Sequence, residues 1–149
     1  MTLPWLVASV HLVALVLGGT AIHMRARFLS RLRDAKDLPP VFVADNLWGL
    51  AAALWLGTGI WRAFGGLEKG TDYYLGHPLF HAKLGLFVLV VILEIRPMTD
   101  LIRWRRARRR GVEPDLSRAR TWARISHVQL VIVLVIVFLA TAIARNLRF

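Results

Sequence analysis

The sequence predicts an all-α membrane protein, a bundle of four transmembrane helices with a basic amphipathic cytoplasmic connection. Of its 149 residues, 56% are hydrophobic, which is too many for an ordinary soluble domain of this length. The apolar residues form four runs close to the roughly 20 residues that cross a bilayer core. These runs are too long and too uniformly apolar for barrel strands, so we expect helices. We place the spans of this single domain, residues 1–149, at about 3–24, 41–64, 78–96 and 123–145.

The basic residues predict the orientation. Of the 20 Lys and Arg, five lie between positions 24 and 40 and ten between positions 96 and 124. This alternation is the positive-inside pattern of a bacterial inner-membrane protein with both termini outside. The net charge of +11 therefore indicates topology and contact with anionic lipids at the cytoplasmic face, and not nucleic acid.

Several kinds of site are missing from the sequence. The chain has no cysteine, which excludes disulfides and thiolate chemistry. We find no glycine-rich phosphate loop, paired-carboxylate site or nucleophilic triad.

The first span has a histidine near the middle of the membrane. His11 lies about 12 Å from the start of the helix at 1.5 Å per residue. One alternative is structural, a hydrogen bond from His11 to a hydroxyl or carbonyl group of a neighbouring helix. Gly18-Gly19 would let another helix, or a flat ligand, come close.

The second span shows two stripes. One, Asp45, Gly49, Ala53 and Gly57, is a small-residue ridge typical of tight helix packing. On the other, Trp48, Trp55 and Arg62 recur every seven residues. For Arg62 we weigh a snorkelling role against contact with an acidic group of a ligand.

The third span contains the main functional signal, a lysine inside an apolar run. A buried lysine is costly in lipid and usually has a partner or a task. Lys83 shares a helix face with Phe87 and Glu94, but Glu94 lies about 16 Å away along the axis, too far to pair with it. We expect Pro97 to end the span and residues 99–110 to form a short basic helix in the membrane interface.

Charged groups near the cytoplasmic side are expected to form salt bridges. For Asp45 we name Arg25, Arg27, Arg96 or His127 as partners, and for Glu94 we name Arg96 or Arg25. A zinc site from His77 and His81 is a weaker alternative, because Pro78 places His77 at the helix cap. The fourth span is mainly a packing surface.

His11 and Lys83 lie at similar depths, since the first and third spans run parallel. Two such groups suit a flat ligand held between these helices, and haem is a ligand of this kind. The amine of a lysine coordinates iron only when neutral.

Two stretches resemble the HemJ-type protoporphyrinogen oxidases, small membrane proteins with b-type haem. They are the first-span pattern His11, Gly18-Gly19 and Arg27-Phe28-Leu29, and the third-span signature Phe80-His81-Ala82-Lys83-Leu84. The resemblance implies His11 and Lys83 as haem iron ligands and oxidation of a porphyrinogen, with electrons passing to an acceptor such as a quinone. Trp55, Phe87 and Arg62 complete the expected cofactor site.

Other stretches depart from that family. The fourth span begins Ile125-Ser126-His127-Val128-Gln129, unlike the HemJ pattern. As a whole the chain is more similar to an uncharacterised bacterial family of four-helix membrane proteins, through Asp45-Asn46-Leu47-Trp48-Gly49-Leu50 and Trp61-Arg62-Ala63-Phe64-Gly65-Gly66.

Three functions follow from these patterns. The first is binding of haem b or a porphyrin-like ligand, with a HemJ-like oxidoreductase activity left open. The second is a non-enzymatic subunit or assembly factor of a membrane complex or homo-oligomer. The third is a proton or ion transporter that uses Asp45, Lys83 and Glu94, although the chain shows no repeat.

Overall fold

The computed structural model describes residues 2–67 and 69–147, which form α-helices joined by turns and no β-strand. Four helices in these ranges are long and apolar enough to cross a membrane, which confirms the predicted fold class. The helices are α1 (Thr2–Arg31), α2 (Leu38–Phe64), α3 (Thr71–Leu75), α4 (Pro78–Arg109) and α5 (Ala119–Ala144), and a 3-10 turn, Ala35–Asp37, precedes α2.

The helices extend beyond the predicted spans at one end of the bundle, which carries the α1–α2 and α4–α5 connections and is called the basic end below. Pro39 and Pro40 lie in the first turn of α2, where a missing backbone N–H costs little. The predicted end of the third span at Pro97 is wrong, because α4 continues through Pro97 to Arg109. Leu101 and Trp104 lie beyond Pro97 and are buried, and this packing offsets the hydrogen bond that the proline removes.

A hydrophobic cluster fills the basic end. Trp104 donates from Nε1 to the Asp115 carbonyl at 2.8 Å, and Trp122 donates from Nε1 to Asp100 Oδ2 at 3.0 Å. The prediction that residues 99–110 form a separate helix is wrong, because α4 runs through most of them, and Leu101 and Trp104 of this stretch pack into the cluster. The cluster consists of Leu29, Leu38, Val41, Leu101, Trp104, Ala119, Trp122 and Ala123.

The long helices meet in a particular order. α1 packs along α2 and α5, and α4 packs mainly along α5. Gly18 brings α1 close to α2, since a Cβ built at Gly18 would lie 3.3 Å from Ala51 Cβ. The predicted ridge does not form this contact. Gly49 and Gly57 face outward, and a Cβ on either would meet no atom within 4 Å.

A fully buried arginine joins the four long helices. Arg25 of α1 binds Glu94 of α4 through two hydrogen bonds, at 2.5 and 2.8 Å, and Asp45 of α2 at 3.0 Å. It also donates to Ser126 and Gln129 of α5, at 3.1 Å each. The predicted pairing of Arg25 with both acids is confirmed.

Arg105 completes this group of charges. It donates from Nη2 to Asp45 Oδ2 at 2.8 Å, across from α4 to α2. The cluster of Arg25, Asp45, Glu94 and Arg105 therefore has equal numbers of acids and bases, as buried charges require.

Candidate functional site

A cavity of ≈ 190 Å³ lies at the opposite end of the bundle, called the cavity end below. Its two walls come from α2 and α4, α5 forms its floor, and α1 reaches it with one imidazole. The lining residues are His11, Trp55, Leu56, Gly59, Ile60, Arg62, Ala63, Phe64, Tyr74, Phe80, Lys83, Leu84, Phe87, Ile136, Ala140, Ile143 and Ala144.

All five residues predicted for a cofactor site line this one cavity: His11, Trp55, Arg62, Lys83 and Phe87. The cavity does not lie between the two helices that were predicted to hold the ligand. The ligand was expected between the first and third spans, but α1 packs mainly against α2 and α5, so the cavity lies between the second and third spans.

The hydrogen bonds of Thr58 orient His11 and favour one tautomer of its ring. Thr58 Oγ1 lies 2.8 Å from His11 Nδ1 and donates its own proton to the Leu54 carbonyl at 2.6 Å. A Thr58 hydroxyl that donates to Leu54 accepts from Nδ1, and this arrangement favours the neutral tautomer with its lone pair on Nε2. The structural alternative, a bond to a neighbouring hydroxyl, is realised, and it also prepares Nε2 as an acceptor or ligand.

Aromatic groups enclose the imidazole. Trp55 stacks on His11 with ring centroids 5.7 Å apart, and the centroid of the Phe87 ring lies 6.1 Å from that of Trp55. Gly59 leaves room for the ring, since a Cβ there would come within 3.3 Å of His11. Trp55 Nε1 is buried and has no hydrogen-bond partner among residues 2–67 and 69–147.

Two basic side chains add positive charge to the cavity. Lys83 and Arg62 are both partly buried, and Lys83 Nζ lies 5.1 Å from the centroid of the Phe80 ring, within the range of a cation–π interaction. None of the lining residues is acidic. The described lining thus combines apolar walls with groups that favour an anion.

The segment before α4 covers the cavity end. Tyr74 of α3 is buried and lines the cavity. Tyr73 donates to the Ile143 carbonyl at 2.8 Å, and Lys69 donates to the Ala144 carbonyl at 2.9 Å. These bonds attach the α3 segment to the last turn of α5.

Comparison with known proteins identifies a family and no closer relative. The family described as "Predicted membrane protein (DUF2214)" matches residues 3–147. The chain belongs to this family. No curated protein and no solved structure matches it.

Membership of DUF2214 agrees with the predicted similarity to a family of membrane proteins. The resemblance to HemJ-type oxidases is not part of that match and stays a prediction.

The zinc site considered at His77 and His81 does not form in the described ranges, where no group of three or more His, Asp or Glu side chains could hold a metal ion. His77 is the N-cap of α4, as predicted, and is fully buried. His81 is exposed and contacts the Leu75 carbonyl at 2.8 Å. Asp45 and Glu94, the acids named for a transporter, bind Arg25 at the basic end, and Glu94 lies about 16 Å along α4 from Lys83.

Sequence reasoning missed Thr58, Gly59 and the α5 floor of the cavity. Thr58 and Gly59 lie one turn before Arg62, so the stripe of Trp55 and Arg62 could have drawn attention to them. The floor residues had no such signal, because apolar residues on α5 look alike whether they face lipid or a cavity.

Proposed function

We propose that this DUF2214 protein is a membrane protein that holds b-type haem, or another flat porphyrin-like ligand, in the cavity between α2 and α4. The observation that supports the proposal most is the convergence of His11 and Lys83 on one aromatic-walled cavity.

The donor chemistry of the cavity fits haem. The bond from Nδ1 to Thr58 directs the lone pair of His11 to Nε2, the arrangement that histidine ligands of metals commonly have. The volume fits less completely, since ≈ 190 Å³ is below the roughly 300–1,000 Å³ of typical ligand pockets. A macrocycle would therefore be enclosed only in part, with its remaining edge against lipid.

Each lining residue has a distinct task in this proposal. His11 and the neutral amine of Lys83 would hold the iron, Thr58 would orient His11, and Trp55 and Phe87 would pack beside the ring. Arg62 would bind an acidic substituent. Haem supplies one-electron chemistry when bound, and the HemJ resemblance supports extending the proposal to oxidation of a porphyrinogen, with a quinone as acceptor.

The visible spectrum of the purified protein tests haem binding. Protein expressed with adequate haem supply and purified in detergent should show a Soret band, which His11→Ala and Lys83→Ala should bleach or shift. His23→Ala is the matched control, because His23 is an exposed histidine of the same helix. Wild-type protein without a Soret band under these conditions contradicts the proposal.

A finer variant tests the role assigned to Thr58. Thr58→Val keeps the shape of the side chain and removes its bond to His11 Nδ1. We expect haem affinity to fall about 10- to 100-fold, as for other partners that orient metal ligands. Unchanged haem affinity in Thr58→Val would show that the tautomer of His11 does not matter for binding.

One observation favours a second function, that of a non-enzymatic subunit or assembly factor. Gly49 and Gly57 lie on an exposed face of α2, where a second helix of another copy or subunit could approach closely. Native gels of gently solubilised membranes should then show a complex that Gly49→Leu weakens. A single small species speaks against this function.

A further inference from the structure

We propose that the cavity takes its ligand from the bilayer, through the gap between α2 and α4, and that the ligand is an apolar molecule with a carboxylate that Arg62 receives. This inference deepens the proposed function and shares its cavity, but it does not require iron. A porphyrin and a fatty acid each carry a carboxylate that Arg62 could bind in the same way, and the experiment below distinguishes these two ligands.

The open side of the cavity is apolar. Leu56 and Ile60 of α2 and Leu84 of α4 line the cavity and are each between 42% and 52% exposed. On helices long and apolar enough to span a membrane, such exposed apolar groups face lipid. The opening is therefore continuous with the hydrocarbon region.

The gap exists because α2 and α4 are held by different neighbours. α2 packs mainly on α1, and α4 packs mainly on α5. The floor of the cavity is the α5 surface at Ile136, Ala140 and Ile143. A ligand that slides between the two walls would rest on this apolar surface.

Access from the water at the cavity end is restricted by the α3 segment. Tyr73 and Lys69 bind backbone carbonyls of Ile143 and Ala144, and Tyr74 of the same segment is buried and lines the cavity. These contacts narrow the route from water, whereas the opening toward the bilayer is lined by the apolar side chains of Leu56, Ile60 and Leu84.

The positive charges of the lining favour a ligand that carries an acidic group. A carboxylate that leaves water needs a charged partner, and the guanidinium of an arginine matches it with two parallel hydrogen bonds. Arg62 lies one turn beyond Gly59 toward the end of α2, and Lys83 of α4 adds a second positive charge to the same cavity when no iron holds its amine. The apolar body would then lie deeper, beside Trp55.

Three probes test the need for a carboxylate and the kind of apolar body. They are metal-free protoporphyrin IX, its dimethyl ester, and the fluorescent fatty acid cis-parinaric acid. Binding to protein in liposomes is followed by quenching of tryptophan fluorescence. We expect wild-type protein to bind the porphyrin diacid at least about tenfold more tightly than the ester, as one charge-assisted hydrogen bond allows.

Arg62 variants test the acid-binding step. Arg62→Gln should remove the preference for the acid, and Arg62→Lys should keep part of it. Arg124→Gln, an exposed arginine near the basic end, should keep all of it. Equal affinities for acid and ester in wild-type protein, or a full preference in Arg62→Gln, would overturn the role of Arg62 even if a Soret band is present.

The path of the ligand is tested by its rate of loading. Leu84→Trp narrows the opening and should slow loading from liposomes severalfold. Leu89→Trp, on an exposed position of α4 outside the cavity, should load like wild type. Equal rates for the two variants would overturn access from the bilayer.

The outcomes distinguish this inference from haem binding. Tight, Arg62-dependent binding of cis-parinaric acid without any Soret band would support the inference and contradict the haem proposal. Binding of none of the three probes would overturn the inference itself.

Discussion

The buried Arg25 provides the sharpest test of how this bundle is held together. Arg25 has no exposed surface and binds groups on each of the other three long helices. We expect Arg25→Met to destabilise the protein by about 3 kcal/mol, the lower end of the roughly 3–5 kcal/mol measured when one partner of a buried ion pair is removed.

The contacts explain this magnitude. Glu94 loses both of its hydrogen bonds to Arg25, each worth about 1.5–3 kcal/mol. Glu94 keeps the amide of Gln129 at 2.8 Å, and Asp45 keeps Arg105, also at 2.8 Å. Because Glu94 is also 19% exposed, we take the lower end of the range.

The double variant Arg25→Met/Glu94→Met sharpens the test. It removes one base and one acid, so that Asp45 and Arg105 remain as a neutral pair. Replacing a buried ion pair by apolar groups is often neutral or stabilising. The double variant should therefore be more stable than Arg25→Met alone.

Unfolding in mixed micelles, driven by SDS and followed by tryptophan fluorescence, measures these differences. The matched control is Arg27→Met, which changes an exposed arginine two residues further along the same helix. If Arg25→Met and Arg27→Met unfold at the same SDS fraction, the cluster does not hold the helices together. A double variant less stable than Arg25→Met would refute the reasoning from unpaired charge.

Three further predictions concern single sites. Gly18→Leu should lower the free energy of unfolding by about 1–3 kcal/mol more than Gly19→Leu in the same assay, because of the two glycines only Gly18 faces a neighbouring helix at close range. Equal losses of stability in the two variants would contradict this packing. His77→Phe should leave the melting temperature unchanged or raise it, because His77 is buried and neither ring nitrogen has a hydrogen-bond partner in the described ranges. A clear fall in melting temperature would reveal a bond made by His77. The N–H of Ser117 donates to Asp115 and holds the pKa of that carboxyl below its usual value. Asp115→Asn should therefore lower stability above about pH 4, and this loss should disappear as the pH falls through the lowered pKa. A loss of stability that persists in acid would contradict the assignment.

The spans and the cavity residues could be predicted because they follow from length and helical period. Apolar runs of membrane-spanning length identify helices without knowledge of their neighbours. The seven-residue spacing of Trp55 and Arg62, and the position of Lys83 one turn before Phe87, place each pair on one face of its helix. His11 was identified as a polar group in an apolar helix.

The neighbours of each helix could not be predicted, and the errors follow from that. In lipid an outward face is as apolar as a packed one, so composition does not separate them. This is why the ridge of Gly49 and Gly57 was assigned to packing although it faces outward. Pro97 shows a second limit of prediction from sequence. The rule that a proline ends a helix is overridden here by the burial of Leu101 and Trp104 in the packed bundle.

The arrangement of charges at the basic end also bears on how the chain enters the membrane during synthesis. The first pair of long helices to emerge brings Arg25 together with Asp45, and α4 then brings Glu94 and Arg105 on one helix. Each stage thus adds one acid and one base, so this group of charges gains no net charge once α2, and again once α4, has been made.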